Sequence, residues 1–260
     1  MNRRERRAAA AGARRGAAPE AHPMASRAAE LQQHVLESER RLGGEVLARG
    51  RSPQTVYELV DSAATLADSF MRQNPTSRDS LACKLGCDHC CRRPVGTSAP
   101  TVLRIAAALR EGLSAEDFAR ALARVVALDE KTHGVSWTPT ERPPLPCAFL
   151  VNGACSVYEV RPFVCRAWNS ADAEACRRAL GQESIEMRFD LFQRTTFAAV
   201  EKGLQAAVQE SGLDAMDLEL TAAVRVAMEN ADACQRWLAG EPVFAGCEAK
   251  PDRRRRLPFA

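Results

Sequence analysis

Four cysteines fall within the stretch Cys83-Lys84-Leu85-Gly86-Cys87-Asp88-His89-Cys90-Cys91, and no regular secondary structure by itself calls for such a density. Thiols spaced two or three residues apart can be aimed by a tight turn at one ion, and Gly86 supplies the backbone freedom for that turn. Cys90 and Cys91 complicate the picture because adjacent side chains diverge. Either they serve two centres, or one of them is a supporting or redox thiol. The compartment decides between metal and disulfide. The opening MNRRERRAAAAGARRG carries the arginines of an export signal but no apolar stretch, since Arg14 and Arg15 interrupt the alanines. A twin-arginine signal or an organellar presequence is a lesser reading, and a cytoplasmic location is expected. In a reducing cytoplasm disulfides are rare, so clustered cysteines read as metal or redox chemistry, with a disulfide framework as the weaker alternative.

Composition then sets the scaffold. Of 260 residues, 46% are hydrophobic but only 5% aromatic, so the core must be built of Leu, Val, Ala and Ile. That favours packed helices over aromatic-rich strands. No apolar run reaches the ~18–20 residues needed to cross a bilayer, which argues against a membrane-spanning chain. The formal charge of +3 is unevenly spread: residues 1–27 carry +5 and 250–260 carry +4, which leaves 28–249 at −6. The body is therefore no basic platform for nucleic acid. The basic tails are expected to be solvated ends, with weak, salt-sensitive nucleic-acid contact as the alternative.

Residues 1–25 lack periodicity and read as a disordered basic tail. Apolar spacing predicts a helix from Ser26 to about Arg49. A second follows Ser52-Pro53, with Val56, Leu59, Val60, Ala63, Leu66, Ala67 and Phe70 on one face. Ser98 with Pro100 opens a third, ending at Gly112, and Ser114 with Asp117 caps a fourth. Pro139, Pro143, Pro144 and Pro146 make a loop. Further helices are expected over 170–180, 183–210, 214–229 and 232–238, with a bend at Gly203. Strands are expected only at Cys147–Val151 and Ala154–Tyr158, joined at Asn152-Gly153. A two-residue turn there pairs Val151 with Ala154 and puts Cys147 and Cys155 on opposite faces. A three-residue loop pairs Phe149 with Cys155 and brings both thiols to one face, so a shared centre predicts the three-residue loop. The fold class is mainly α: one helical domain over 26–249 with an irregular cysteine-rich centre at about 80–180 containing a short β-hairpin, followed by a basic tail over 250–260.

The second cysteine segment runs Pro146-Cys147-Ala148-Phe149-Leu150, Gly153-Ala154-Cys155, Val157-Tyr158, Arg161-Pro162-Phe163-Val164-Cys165-Arg166, and then Cys176. With the first cluster it resembles the YkgJ-type cysteine-cluster proteins, described as a zinc- or iron-chelating domain, over roughly 80–180. The resemblance implies that Cys83, Cys87, Cys90, Cys91, Cys147, Cys155, Cys165 and Cys176 hold zinc or iron, the iron either as ions or in a 4Fe–4S cluster. Flagellin lysine N-methylase is similar in sharing the cluster, which makes a protein methylase or a redox enzyme the catalytic alternative to a non-catalytic metal-binding protein.

Two zinc tetrathiolates would carry about −4 and one 4Fe–4S tetrathiolate about −2 by formal counting. Lys84, Arg92 and Arg93 are available to offset that charge or to form surface ion pairs. Arg161 and Arg166, beside Pro162 and Cys165, are candidates for hydrogen bonds to sulfur or to a bound anionic cofactor. Trp168 and Tyr158 are expected to shield the centre from water. The spacing of Cys83, Cys87 and Cys90 also matches the radical S-adenosylmethionine fingerprint. Against that, the chain lacks alternating strands and helices, and His89 stands where an aromatic is common. His89 is the one histidine placed to be a ligand, an exposed imidazole being the plainer reading. His22, His34 and His133 read as surface residues. Cys234 reads as a helix-core thiol and Cys247 as a tail thiol. No phosphate loop, nucleophile elbow or H-E-x-x-H motif is present.

Overall fold

Two long helices open the computed structural model, which describes residues 23–73, 80–138, 141–181, 185 and 187–251. They are α1 (Pro23–Leu47) and α2 (Pro53–Gln73). Ser52 begins α2 as its apolar stripe requires, its hydroxyl accepting from the Thr55 amide at 3.2 Å. Strand β1 (Gly96–Thr97) leads into α3 (Ala99–Gly112) and α4 (Ala115–Thr132). Ser114 caps α4 by accepting from the Asp117 amide, as the sequence predicts. The hairpin β2 (Leu150–Val151) and β3 (Ala154–Cys155) is followed by the short helices α5 (Phe163–Ala167) and α6 (Ala173–Leu180). The chain closes with α7 (Leu191–Glu210), β4 (Leu218–Glu219), α8 (Leu220–Glu229) and α9 (Ala233–Leu238). The expectation of a mainly helical chain is met, with nine α-helices among the described residues. None of them is long and apolar enough to cross a membrane. Both expected tails lie largely outside the described residues, as does His22.

The frame is the pair α1 and α7, which lie against each other along much of their length. Small residues permit it. A Cβ added at Gly203 would meet the Leu36 carbonyl oxygen at 2.5 Å and Glu39 Cβ at 2.7 Å, and one at Gly43 would meet Ala207 Cβ at 2.8 Å. Gly203 therefore serves the helix crossing, and α7 continues through it where a bend was expected. Around this pair, Val35, Leu59, Val102, Ile105, Val200, Leu204 and Val224 join one buried apolar cluster that also takes in Phe149 and Phe163 from the cysteine segment. Within it Glu39 is fully buried and neither carboxylate oxygen has a hydrogen-bond partner. Burial and the charge of Glu201 push its carboxyl up to about 8. Burial likewise raises Glu201 to about 7, although its Oε1 accepts from the Ser98 amide at 2.8 Å and the Thr97 hydroxyl at 3.3 Å.

Three departures from the expected elements have identifiable causes. Helix α7 starts at Leu191 rather than near 183 because Asn169 grips the preceding chain. Its Oδ1 accepts from the Asp190 amide at 2.6 Å and its Nδ2 donates to the Asp190 carbonyl at 3.2 Å. Helix α8 starts at Leu220 rather than 214 because β4 pairs antiparallel with β1, Gly96 opposite Glu219 and Thr97 opposite Leu218. The Glu219 side chain then caps the helix at the Ala222 amide. Cys247 is not a tail thiol: it is 2% exposed, and its carbonyl accepts from the Glu219 amide at 2.7 Å. Cys234 is a buried helix thiol as expected.

Candidate metal centre

The cysteines sit at the edge of this frame, on four pieces of chain tied together by backbone hydrogen bonds. The first piece turns at Lys84–Cys87, where the Cys87 amide donates to the Lys84 carbonyl at 3.0 Å and Gly86 takes φ +88. That is a left-handed conformation that an L side chain adopts only under strain. A 3₁₀ turn over His89–Arg92 then carries Cys90 and Cys91. With about three residues per turn, it points successive side chains about a third of a circle apart. The second piece docks on the first through the Cys147 amide, which donates to the Cys91 carbonyl at 2.8 Å.

The hairpin has a two-residue turn, Asn152 at φ 53 and Gly153 at φ 75, with Val151 opposite Ala154 and Leu150 opposite Cys155. This corrects the expected three-residue loop. The face argument fails because Cys147 is not in the strand: residues 147–150 form a turn, the Leu150 amide donating to the Cys147 carbonyl at 3.0 Å. Alternation of faces does not extend through a turn, so Cys147 and Cys155 still come within electrostatic reach of each other. The third piece begins at Pro162, whose carbonyl accepts from the Cys165 amide at 2.9 Å in the first turn of α5. The fourth is α6, which carries Cys176 and packs against the 3₁₀ turn.

Cys83, Cys87, Cys90 and Cys176 line one cleft together with His89, Arg93, Trp168, Asn169 and Met187. Cys83 receives a hydrogen bond from the Ser170 amide at 3.3 Å. Burial pushes the Cys83 and Cys87 thiols up. A hydrogen bond from Cys91, with burial, pushes Cys90 up strongly. Burial raises Cys147 to about 11 and lifts Cys155 and Cys165 as well. All eight are free thiols.

Arg161 is a cation beside three of them. Its charge acts on Cys90, Cys155 and Cys165, it lies 4.1 Å over the Tyr158 ring, and its Nε is buried without a hydrogen-bond partner. Arg166 is held away by its 2.6 Å bond to the Glu159 carbonyl, its Nε likewise unpartnered, and burial with repulsion from Arg161 lowers its pKa. Arg92 forms an ion pair with Asp88 at 2.7 Å. Trp168 lines the cleft, with Arg93 at 5.3 Å and Arg194 at 4.9 Å over its ring. Tyr158 does not act as a shield, being 56% exposed. Asn169, Ser170 and Met187 had no signal in the sequence beyond the polar pair that ends at Ser170.

Among the described residues, no three His, Cys, Asp or Glu side chains already stand as a group that could hold a metal ion. The thiols are gathered but not drawn into a coordination shell. The donor set nevertheless suits zinc or iron in kind: soft sulfur ligands, none spent in disulfides, with a guanidinium beside them to offset thiolate charge.

No curated protein and no solved structure matches the chain. Residues 82–183 match the family model CxxCxxCC, described as "Putative zinc- or iron-chelating domain". That stretch contains all eight cysteines of the two clusters, so over these residues the chain is similar to the CxxCxxCC cysteine-cluster family.

Proposed function

We propose that the chain is a metal-binding protein whose module at about 80–180, within one helical domain over 26–249, holds zinc or iron through Cys83, Cys87, Cys90, Cys91, Cys147, Cys155, Cys165 and Cys176. The observation that carries this reading is eight free thiols on four linked chain pieces, four of them lining one cleft and three of them within reach of the Arg161 charge. When bound, the metal supplies a cross-link between pieces whose own elements are too short to hold one another. Arg161 offsets the thiolate charge, Arg166, held by the Glu159 carbonyl, adds a second positive charge nearby, and Trp168 limits water at the cleft. A cytoplasmic setting fits thiols kept reduced.

Metal content and an absorption spectrum of protein purified without oxygen test the reading. Zinc with no visible colour supports a structural centre, and iron with acid-labile sulfide supports a cluster. Protein free of both metals, and unable to take up either, would overturn it. A second reading is a methylase-like or redox enzyme with an exchangeable ligand at the cleft of about 20 Å³ lined by Cys83, Cys87, Cys90 and Cys176, room for a water-sized ligand. Failure to bind S-adenosylmethionine, together with no spectral change on reduction, would count against it. Nucleic-acid association through the tails predicts binding that disappears when residues 1–25 and 250–260 are removed.

A further inference from the structure

A separate cavity of about 20 Å³ lies between Arg92 and Arg93 at the end of the 3₁₀ turn, the loop that carries Arg142, and the junction of β4 with α8. That volume has room for one atom of about the size of a water. Three guanidinium side chains, Arg92, Arg93 and Arg142, line it against a single carboxylate, Glu219. Arg92 also pairs with Asp88 at 2.7 Å. Arg142 is the most firmly placed of the three. Its amide donates to the Thr138 carbonyl at 2.9 Å, and its Nη2 donates to Glu219 Oε1 at 2.9 Å. Glu219 is fixed in turn by its strand pairing with Gly96, and its Oε2 accepts from the Ala222 amide at 2.8 Å. Both side chains of the pair are only 8% exposed. Arg142 Nη1 is buried with no hydrogen-bond partner, while each Glu219 oxygen already accepts a hydrogen bond. A buried charged donor left without an acceptor carries its full desolvation cost.

We propose that this cavity binds a monatomic anion of the size of chloride or bromide, with Arg142 Nη1 as its principal donor and Arg92 and Arg93 supplying positive charge around it. A water accepting from Nη1 would also need acceptors for its own two protons. A halide needs donors alone, and the rest of its surface rests against the apolar walls formed by Val95, Leu128, Leu145 and Leu220. A phosphate is too large for the volume. The bound ion ties the Arg142 loop to the β4–α8 junction beside Cys147, which also lines the cavity. The site is independent of whether the thiols hold metal.

The test uses the full chain, crystallised with bromide as the halide, and melted at a constant ionic strength of about 0.15 M with gluconate exchanged for chloride. The expected results are an anomalous bromide peak within hydrogen-bond reach of Arg142 Nη1 and a melting temperature that rises with chloride. Arg142→Gln combined with Glu219→Gln, which removes both charges of the pair together, should lose the peak and the chloride dependence. If that variant fails to fold, the wild-type map and melts decide. No bromide at Nη1, whether a water stands there or bromide binds only elsewhere, such as on a metal among the thiols, would overturn the site. A bromide peak without chloride dependence of the melt would mean binding at crystal concentration only, and would overturn it as well.

Discussion

The α1–α7 frame and the cysteine module meet the same demand, a stable interior, with different materials. In the frame, Val35, Leu59, Val200, Leu204 and Val208 have no exposed surface, and glycine at the crossing lets two helices of 25 and 20 residues approach backbone to backbone. Apart from α3 and α4, which are inserted between its cysteine segments, the module has strands of two residues, helices of five and eight, and eight thiols of which none is fully buried. Elements that short cannot stand on hydrogen bonds alone. Burial therefore suffices for the frame, whereas the module, on the chelating function proposed above, would draw its stability from a bound metal. Phe149 and Phe163 anchor the module to the frame's core, so the two regions remain physically continuous.

The largest expected effect separates them directly. Stripping metal with a chelator, or Cys165→Ser, should cost the module several kcal/mol, of the order that structural metal sites contribute. Far-ultraviolet circular dichroism should retain most of its helical signal, while proteolysis should move into 80–180. Cooperative loss of all helix on chelation would erase the distinction. Next, Gly203→Val should destabilise the frame by about 1–3 kcal/mol, because the added carbons meet the Leu36 carbonyl and the α1 backbone rather than a movable side-chain end. Denaturant melts would read this, with metal content unchanged.

The buried pair Glu39 and Glu201 gives the frame a pH dependence of its own. Folded Glu39 keeps its proton up to about 8, whereas the ordinary value is 4.5. The folded state thus binds more protons than the unfolded chain across that window, and stability falls as pH rises through it. The groups facing the pair are Thr97, Ser98 and the charge of Asp217. Glu39→Gln should flatten the decline, gaining on the order of 4 kcal/mol near pH 8 relative to the parent. A parent melting temperature constant from pH 5 to about 8 would contradict the assignment. The smallest effect belongs to the hairpin. Gly153→Ala, at φ 75, should cost about 1 kcal/mol by opposing the two-residue turn. Asn152→Gly, at φ 53, should be nearly neutral.

The frame was the more legible region. Its stripes repeat every three or four residues, and Ser52 and Ser114 mark helix starts by local capping that needs no distant partner, whereas the Ser98 amide is held by Glu201. Where distant partners intervene, the reading slips. The start of α7 depends on Asn169, that of α8 on strand pairing with Gly96 and Thr97, and the burial of Cys247 on the same junction. In the module, residue type and spacing identify the cysteines, because a thiol's chemistry is visible in its name. Their grouping is not visible. It comes from a turn at Cys147 that breaks strand alternation, and from an amide of Ser170 reaching Cys83 across the site.

The hydrogen bond from the Cys147 amide to the Cys91 carbonyl joins two pieces between which the whole of α3 and α4 is inserted. On a ribosome adding about 5–20 residues per second, roughly 5–20 s separate the emergence of Cys83 from that of Cys176. Through that interval the earliest thiols wait for partners still to be translated, and α1 waits for α7, which follows Cys176 closely. On the proposed chelating function, metal capture and closure of the helical frame would fall due at nearly the same moment of biosynthesis, and a chain truncated before Cys176 would have neither safeguard for its earlier thiols.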